Sequence, residues 1–308
     1  MIIHQRNKLY YESWMPCPAL RPWVSLYWTI YGDIDSCAEI STQTLYPCSN
    51  CSVVFQLGES VDVLDGSGAT RSRPRIFAKG HFQTPFTLRF VGRFALAGIE
   101  FQRGKAHLFL RDSERIIQNR FAELEGLYGR AGERLSERLE EAGIGSPRRS
   151  VIPKLFDEFL LNYKPVETEL DKIIGAAVES IIASTGNTSI ATVASDVSMS
   201  VRQLQRQFKH RLGYSPRYFS RLIRFRSLIR KRRSNPYSTW PQLAYECGYF
   251  DQAHMIREFN SFTGGPPGSE GESQSVVGWA MVEMCSYAAA WDSGKDLRCR
   301  IRTMRKQG

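Results

Sequence analysis

The sequence lacks the features that define several large classes of protein. Its seven cysteines, at positions 17, 37, 48, 51, 247, 285 and 299, are odd in number and scattered, which argues against a disulfide framework. The apolar runs are short and interrupted, so no transmembrane helix is predicted. The first residues, MIIHQRNKLYYESW, have no apolar core of signal-peptide length. We therefore expect a cytoplasmic protein that does not contact a membrane.

Fingerprints of nucleotide binding, hydrolysis and metal binding are also missing. The chain has no P-loop, no dinucleotide motif and no G-x-S-x-G nucleophile motif. Cys48 and Cys51 form a C-x-x-C pair, but a structural zinc needs four ligands and no second closely spaced pair accompanies them. His81 and the histidines at 4, 107, 210 and 254 are isolated along the chain. We expect neither a metal nor another cofactor.

Acidic residues are absent from a long segment of the C-terminal half. Between Val197 and Tyr245 there are twelve Lys and Arg and no Asp or Glu, so this segment contributes +12 to a net charge of +10 and the rest sums to −2. Ordinary surfaces mix both signs, so this segment favours a polyanionic partner. The plainer alternative is a solvated basic face. A membrane-surface helix fits less well, because Gln stands among the Arg.

Within the 308 residues there is room for two domains, each with its own core. The first 110 residues are predicted to be mostly β. The candidate strands are Val24–Tyr31, Cys51–Leu57, Thr87–Phe90 and Phe94–Phe101. From Gly104 to Ala142 the apolar spacing is helical.

The stretch from Ser200 to Leu212, SVRQLQRQFKHRL, is the most informative part of the sequence. Ser200 and Gln203 have the spacing of a capping box, which predicts that a helix starts here. The residues predicted to form its buried face are Val201, Leu204, Phe208 and Leu212. The other faces carry long, mostly cationic side chains, which suit base edges and phosphates. A shorter helix at 190–197 and a tight turn precede it, so a helix-turn-helix is predicted.

An internal repeat supports this interpretation. Five residues recur at an offset of 51. The pairs are Leu204 and Met255, Arg206 and Arg257, Phe208 and Phe259, Gly213 and Gly264, and Pro216 and Pro267. Thr239 with Gln242, and Asp251 before Gln252, predict helix caps in the second unit. The connector, 217–233, should bury Leu222, Phe225 and Ile229 and span about 25 Å as a helix. Successive major-groove faces lie roughly 34 Å apart, so two reading helices can reach adjacent segments.

From Glu167 to Pro267 the sequence resembles the AraC family of bacterial transcription regulators. The resemblance is carried by LQRQFKHRLGYSP, by LAYECGYFDQAHMIREF and by the Gly-x-x-Pro after each reading helix. It implies base contacts from the outward faces of both reading helices, with Ala253 too short to make a polar one. The implied residues are Arg202, Gln205, Arg206, Gln252, His254 and Arg257. Lys209, Arg217 and Arg221 are better placed as phosphate contacts.

The N-terminal region contains the stretches PCPALRPWVSLYW, TLYPCSNCSVVFQLG and GIEFQRGKAHLFL, followed by ELEGLYGRAGERLSERL. On these stretches it resembles, more loosely, the sensor-like domain that precedes such regulators. The resemblance implies a barrel-like β domain with helices, which binds a small-molecule effector or forms a homodimer. Trp23, Trp28, Phe82 and Phe86 either line that effector pocket or belong to the core. The expected organisation is α+β, with a sensor domain at 1–165, a tandem helix-turn-helix domain at 166–267 and an atypical tail at 268–308. The expected partners are double-stranded DNA and, for an activator, RNA polymerase.

Two other functions remain open at this point. An N-terminal repair-type enzyme could use Cys48 or Cys51 as its nucleophile, with the repeat as a DNA anchor. A nonspecific nucleoid-type protein could use the basic segment without reading bases. Sequence-specific transcription regulation accounts for the most features, because it explains both the repeat and the charge.

Overall fold

Antiparallel strands build the N-terminal half as two sheets. The computed structural model describes residues 8–35, 41–58, 61–64, 70–71, 74–110, 121–144, 150–163 and 165–268. The strands in these ranges are β1 (Lys8–Trp14), β2 (Val24–Ile34), β3 (Thr42–Leu45), β4 (Ser52–Gly58), β5 (Asp62–Leu64), β6 (Thr70–Arg71), β7 (Ile76–Lys79), β8 (Phe86–Arg89), β9 (Gly92–Phe101) and β10 (Phe121–Glu123). The large sheet has the order β1-β2-β9-β4-β7-β10, and the small sheet has the order β3-β8-β5-β6.

Helices cover one face of the large sheet and build the C-terminal half. They are α1 (Glu125–Ala142), α2 (Ile152–Leu161), α3 (Glu169–Ala183), α4 (Ile190–Asp196), α5 (Val201–Leu212), α6 (Pro216–Ser234), α7 (Trp240–Glu246) and α8 (Gln252–Thr263). A 3-10 turn at Ala106–Leu108 lies between β9 and β10 in sequence. No helix in the described ranges is long and apolar enough to cross a membrane.

The central strands β2, β4 and β9 are buried on both faces of the large sheet. One face packs on α1 and α2, where the rings of Tyr27, Phe55 and Phe156 meet. The other face packs on the small sheet, around Trp28 and its neighbours. Gly98 lies against Trp28, and a Cβ at this position would come within 2.2 Å of the indole. Glycine is therefore needed here for close approach.

The predicted α+β class is confirmed, with two corrections. The barrel-like expectation is wrong for the described residues: neither sheet closes, because the edge strands β1 and β10 do not pair with each other. The helical pattern expected from Gly104 to Ala142 is interrupted by β10, whose residues pair in register with Phe77–Lys79. The four predicted strands correspond to β2, β4, β8 and β9. Residues 269–308, all but the first residue of the predicted tail, lie outside the described residues.

The four aromatic residues considered for an effector pocket do not converge on one cavity. Trp23 packs against the core beneath α1 and α2, whereas Trp28 and Phe86 belong to the core between the sheets. Phe82 stacks on Phe86 with ring centroids 4.1 Å apart. These side chains therefore contribute to packing rather than to a shared binding site.

Two helix-turn-helix units share one long helix in the C-terminal half. The first core lies among α3, α4 and α5, and the second lies between α7 and α8. Helix α6 contributes to both, with Phe219 and Ile223 in the first core and with Leu222, Phe225 and Ile229 in the second. The prediction that the last three side chains pack inward is confirmed. Because one helix carries residues of both cores, the two units are held in a fixed relation.

Candidate nucleic-acid interface

Helix α5 begins and ends where the sequence predicts. Ser200 Oγ accepts a hydrogen bond from the Gln203 backbone N–H at 3.2 Å, and Gln203 Oε1 accepts one from the Ser200 N–H at 2.9 Å. This reciprocal pair is the predicted capping box. Gly213 ends the helix at φ 78°, a left-handed conformation that glycine adopts without strain. Fixed ends hold the outward side chains of α5 in defined positions.

Four long polar side chains form the outward face of α5, and all are exposed. They are Arg202, Gln205, Arg206 and Lys209. Their i, i+3, i+4, i+7 spacing places them along one side of the helix. The side chains buried on the opposite side are Leu204, Phe208 and Leu212. The prediction that Val201 joins them is wrong: it is the first residue of the helix, beyond the core, and is 39% exposed.

Helix α8 occupies the equivalent place in the second unit. Asp251 caps it, because its Oδ1 accepts a hydrogen bond from the His254 N–H, and Gln252 and Arg257 are exposed. The His254 ring faces inward, with Nε2 at 3.5 Å from Glu258 Oε1. Of the three predicted base-contact residues here, His254 is therefore the least available to DNA.

The linker helix α6 carries three arginines along one side. Arg217, Arg221 and Arg224 are spaced i, i+4 and i+7, and Arg217 is exposed. Arg221 Nε donates to Glu258 Oε1 at 2.8 Å, which joins the linker to the second unit. Arg224 donates from its Nη2 to the Gly186 carbonyl at 2.9 Å, which joins the linker to the first. Arg221, predicted to contact phosphate, thus also has a partner inside the protein.

Glu258 is a central residue of this surface that the sequence analysis missed. It is only 4% exposed, and its carboxylate faces Arg221, Arg224 and His254. A buried carboxylate is tolerated when cations or hydrogen-bond donors surround it. The sequence contained one signal, because residues 255, 258, 259 and 262 have the i, i+3, i+4, i+7 spacing of an apolar helix face. An acid on that face predicts an internal partner.

The N-terminal half contacts α6 on the side opposite to the arginines. Buried Arg226 donates from its Nη1 to Ser49 Oγ at 2.9 Å. Arg226 lies five residues after Arg221, about 140° round the helix. Tyr46 packs into the core of the second unit. The described residues of the N-terminal half therefore contact the DNA-binding helices without covering the arginine side of the linker.

A second set of contacts joins the N-terminal half to the first unit. Asp171 on α3 accepts a hydrogen bond from Arg211 Nε at 2.7 Å and lies 3.1 Å from His107 Nε2. Burial raises the pKa of Asp171, but its hydrogen bonds outweigh burial and hold that pKa well below its usual range. His81 stands edge-on to Tyr214 with ring centroids 4.8 Å apart. Burial lowers the pKa of His81 to about 4, so this ring is neutral at pH 7.

Cys48 and Cys51 do not have the surroundings of a catalytic pair. Cys51 is 2% exposed, and burial raises the pKa of its thiol, whereas a nucleophilic cysteine needs a lowered pKa. Cys48 Sγ accepts a hydrogen bond from Lys79 Nζ at 3.7 Å. In the part of the chain that the structure describes, no three His, Cys, Asp or Glu side chains are grouped to hold a metal ion.

Comparisons with known proteins match both halves of the chain. Residues 193–270 match a family described as "Helix-turn-helix domain", and residues 12–123 match a "Domain of unknown function (DUF6597)". ToxT from Vibrio cholerae is 12% identical over 86% of this chain and 97% of ToxT, with a TM-score of 0.41. A ToxT structure with a bound unsaturated fatty acid has a TM-score of 0.38, at 12% identity over 84% of this chain and 92% of that one.

The AraC-like transcriptional activator CuxR is 10% identical over 74% of this chain and 87% of CuxR, with a TM-score of 0.23. Structural similarity at these values identifies neither a ligand nor a site residue in this chain. No curated protein matches it.

The tandem units, the exposed basic face of α5 and the matched helix-turn-helix model define a DNA-binding protein that regulates transcription. The matched model includes both reading helices and the linker between them. The predicted AraC-type helix-turn-helix domain is therefore confirmed for residues 193–270.

Proposed function

We propose that the chain reads two adjacent major-groove segments on one side of a DNA duplex, with α5 in the first segment and α8 in the second. One observation carries the proposal: two capped helices, each ended by a left-handed glycine, flank a single linker helix of 19 residues. That helix spans about 28 Å, which is comparable with the roughly 34 Å between successive major-groove faces. One chain can thus reach both segments.

Nine side chains make the proposed contacts with DNA. Arg202, Gln205, Arg206, Gln252, His254 and Arg257 contact bases. Lys209, Arg217 and Arg221 contact phosphates. Arginine can bind guanine through two hydrogen bonds, and glutamine can do the same with adenine. Exposure supports seven of the nine, whereas Arg221 and His254 must leave or share Glu258 in order to reach DNA.

Half-site spacing in a preferred duplex tests this arrangement. Inserting about five base pairs between the half-sites turns the second segment to the opposite side of the duplex. Affinity should then fall to that of the first half-site alone. The control places the same insertion outside the half-sites, where it should have no effect. Equal affinity for all three duplexes would contradict the two-segment arrangement.

We also propose that a sensor domain at 1–165 modulates the DNA-binding domain at 166–267, with 268–308 as a tail. The contacts of Tyr46 and Ser49 with the linker side support this coupling. A small-molecule effector, or the pairing of two N-terminal domains, acts through these contacts. As an activator, the protein would also contact RNA polymerase. The site of action is the cytoplasm, where the DNA is.

Substitutions in the whole chain test the coupling between the two domains. Ser49→Ala removes one acceptor of Arg226 and should change DNA affinity without changing the preferred sequence. Ser25→Ala, at a buried serine of β2, is the control and should leave affinity unchanged. Identical affinities for wild type and Ser49→Ala would contradict modulation through this contact.

A further inference from the structure

A cavity of about 650 Å³ lies between the two helix-turn-helix units. Its walls come from the loop at 186–190 of the first unit, from the N-terminal half of α6 and from α8. Every described lining residue lies between 186 and 258, so no described residue of the N-terminal half contributes to it. The cavity is therefore located at the junction that sets the spacing of the two reading helices.

The lining of the cavity is strongly cationic. Four arginines and a histidine line it, and Glu258 is the single carboxylate among the lining residues. Glu258 is already engaged with Arg221 and faces Arg224 and His254. In the described residues, Arg217 and Arg257 have no ion-pair partner. The cavity therefore has an excess of positive charge that an anion would balance.

Two further features of the cavity point to an anionic ligand with several acceptor oxygens. Arg217 lies in the first turn of α6, which contains no acid, and the helix dipole disfavours a cation at this end. Ser220, which is 5% exposed, lines the cavity, and its buried hydroxyl has no hydrogen-bond partner in the described residues. Buried hydroxyls normally have a partner, so an unsatisfied hydroxyl at the wall of the cavity favours a ligand with acceptor oxygens.

We propose that this cavity binds a phosphate of the DNA backbone, the one that lies between the two major-groove segments. The inference rests on the proposed function and specifies how the two units are aligned on DNA. Phosphate oxygens accept hydrogen bonds from guanidinium groups and favour helix N-termini. Arg217 binds the phosphate directly, while Glu258 positions the Arg221 and Arg224 side chains around it. The phosphate thereby contacts elements of both units at once.

Neutral methylphosphonate, placed at one backbone position after another in a preferred duplex, tests the site. At one central position the replacement should weaken wild-type binding about tenfold, as expected for a charged hydrogen bond. In Arg217→Ala the same replacement should cost less than about twofold, because the partner is already gone. Arg230→Ala removes an equal charge from an exposed position of α6 outside the cavity, and it should keep the tenfold effect.

A second variant separates ligand binding from folding. Ser220→Ala removes a hydroxyl without a partner, so its melting temperature should not fall while the effect of the central methylphosphonate shrinks. A methylphosphonate scan of a preferred duplex in which no position weakens binding would overturn the phosphate site but not the proposed function. The same holds if the effect of the central methylphosphonate falls below twofold in Arg230→Ala as well as in Arg217→Ala. Stabilisation by inorganic phosphate at constant ionic strength, together with a flat scan, would assign the cavity to a free anion and overturn the backbone assignment. Absence of any preferred duplex would overturn the proposed function as well.

Discussion

The two reading helices are equivalent in fold and different in chemistry. Both start at a side-chain cap, end at a left-handed glycine and bury aromatic residues in the same register. At the offset of 51, however, Arg202 corresponds to Ala253 and Gln205 to Ile256, and only Arg206 has a cationic counterpart, Arg257. Duplication has preserved the core and the caps while the outward positions differ. We therefore expect the first unit to supply most of the sequence specificity.

Anchoring also differs between the two units. The first unit meets the N-terminal half through His107 and His81, which contact Asp171 and Tyr214. The second unit is tied to the linker through the buried carboxylate of Glu258. Acidification should therefore weaken the histidine contacts between the first unit and the N-terminal half. Loss of the Glu258 carboxylate should instead destabilise the second unit.

Matched core truncations should separate the two units most strongly. Phe208→Ala and Phe259→Ala remove equivalent buried rings, and each should lower the free energy of unfolding by about 3–5 kcal/mol. Hydrogen exchange should show lost protection mainly in the unit that carries the change. Val201→Ala, at an exposed position, is the control with a small effect. Equal loss of protection in both units from either variant would show that they form one cooperative core.

Acidification should destabilise the contact between the N-terminal half and the first unit. The pKa of His81 is about 4 in the folded chain, against about 6.5 when unfolded. Between these values the unfolded chain binds a proton that the folded chain does not, so stability falls as pH falls from 6.5 to 4, by about 3 kcal/mol. The lowered pKa of His107 acts in the same direction. Urea titrations at several pH values measure this slope.

Two histidine variants isolate the source of that slope. His81→Asn should flatten the dependence of stability on pH, whatever its effect on stability at pH 7. His210→Asn, at an exposed position of α5, should leave the slope as in wild type. An unchanged slope in His81→Asn would exclude this residue as the cause.

Neutralising Glu258 should destabilise the second unit and spare the first. Glu258→Gln leaves Arg221, Arg224 and His254 without their counter-charge. The expected cost is about 2–3 kcal/mol, below that of a fully buried pair because Arg221 is 36% exposed. Glu246→Gln, whose pair with Lys231 is exposed, should cost less than about 1 kcal/mol. Similar denaturation midpoints for the two variants would contradict a central role for Glu258.

Arginine truncations in the reading helices should have the smallest effects, but the most specific ones. Arg206→Ala should weaken binding to a preferred duplex by about 1–3 kcal/mol and relax preference in one half-site. Arg257→Ala should relax the base preference in the other half-site. It should weaken binding by about 1 kcal/mol, because the residues around Arg257 make fewer polar contacts with DNA. Competition binding with single-base substitutions measures both. Uniform weakening across all sequences would reassign Arg206 as a phosphate contact.

Local features of the site could be predicted from the sequence, because they depend on neighbours along the chain. The capping box of Ser200 and Gln203 spans three residues, and Gly213 ends α5 through its own backbone freedom. The Ser49–Arg226 hydrogen bond joins residues 177 positions apart, and it depends on how the two halves dock. The failure of the large sheet to close likewise depends on its edges, which strand patterns do not reveal.

Selection of bound duplexes from a random pool measures how unequally the two units read DNA. The recovered sequences should contain two half-sites about one helical turn apart, with more conserved bases in the half-site read by α5. The half-site read by α5 is identified with Arg206→Ala, because the base preference in that half-site should relax in this variant and the other half-site should be unchanged. Two equally specified half-sites would contradict the asymmetry between the units, and a pool without any shared motif would contradict sequence-specific reading altogether.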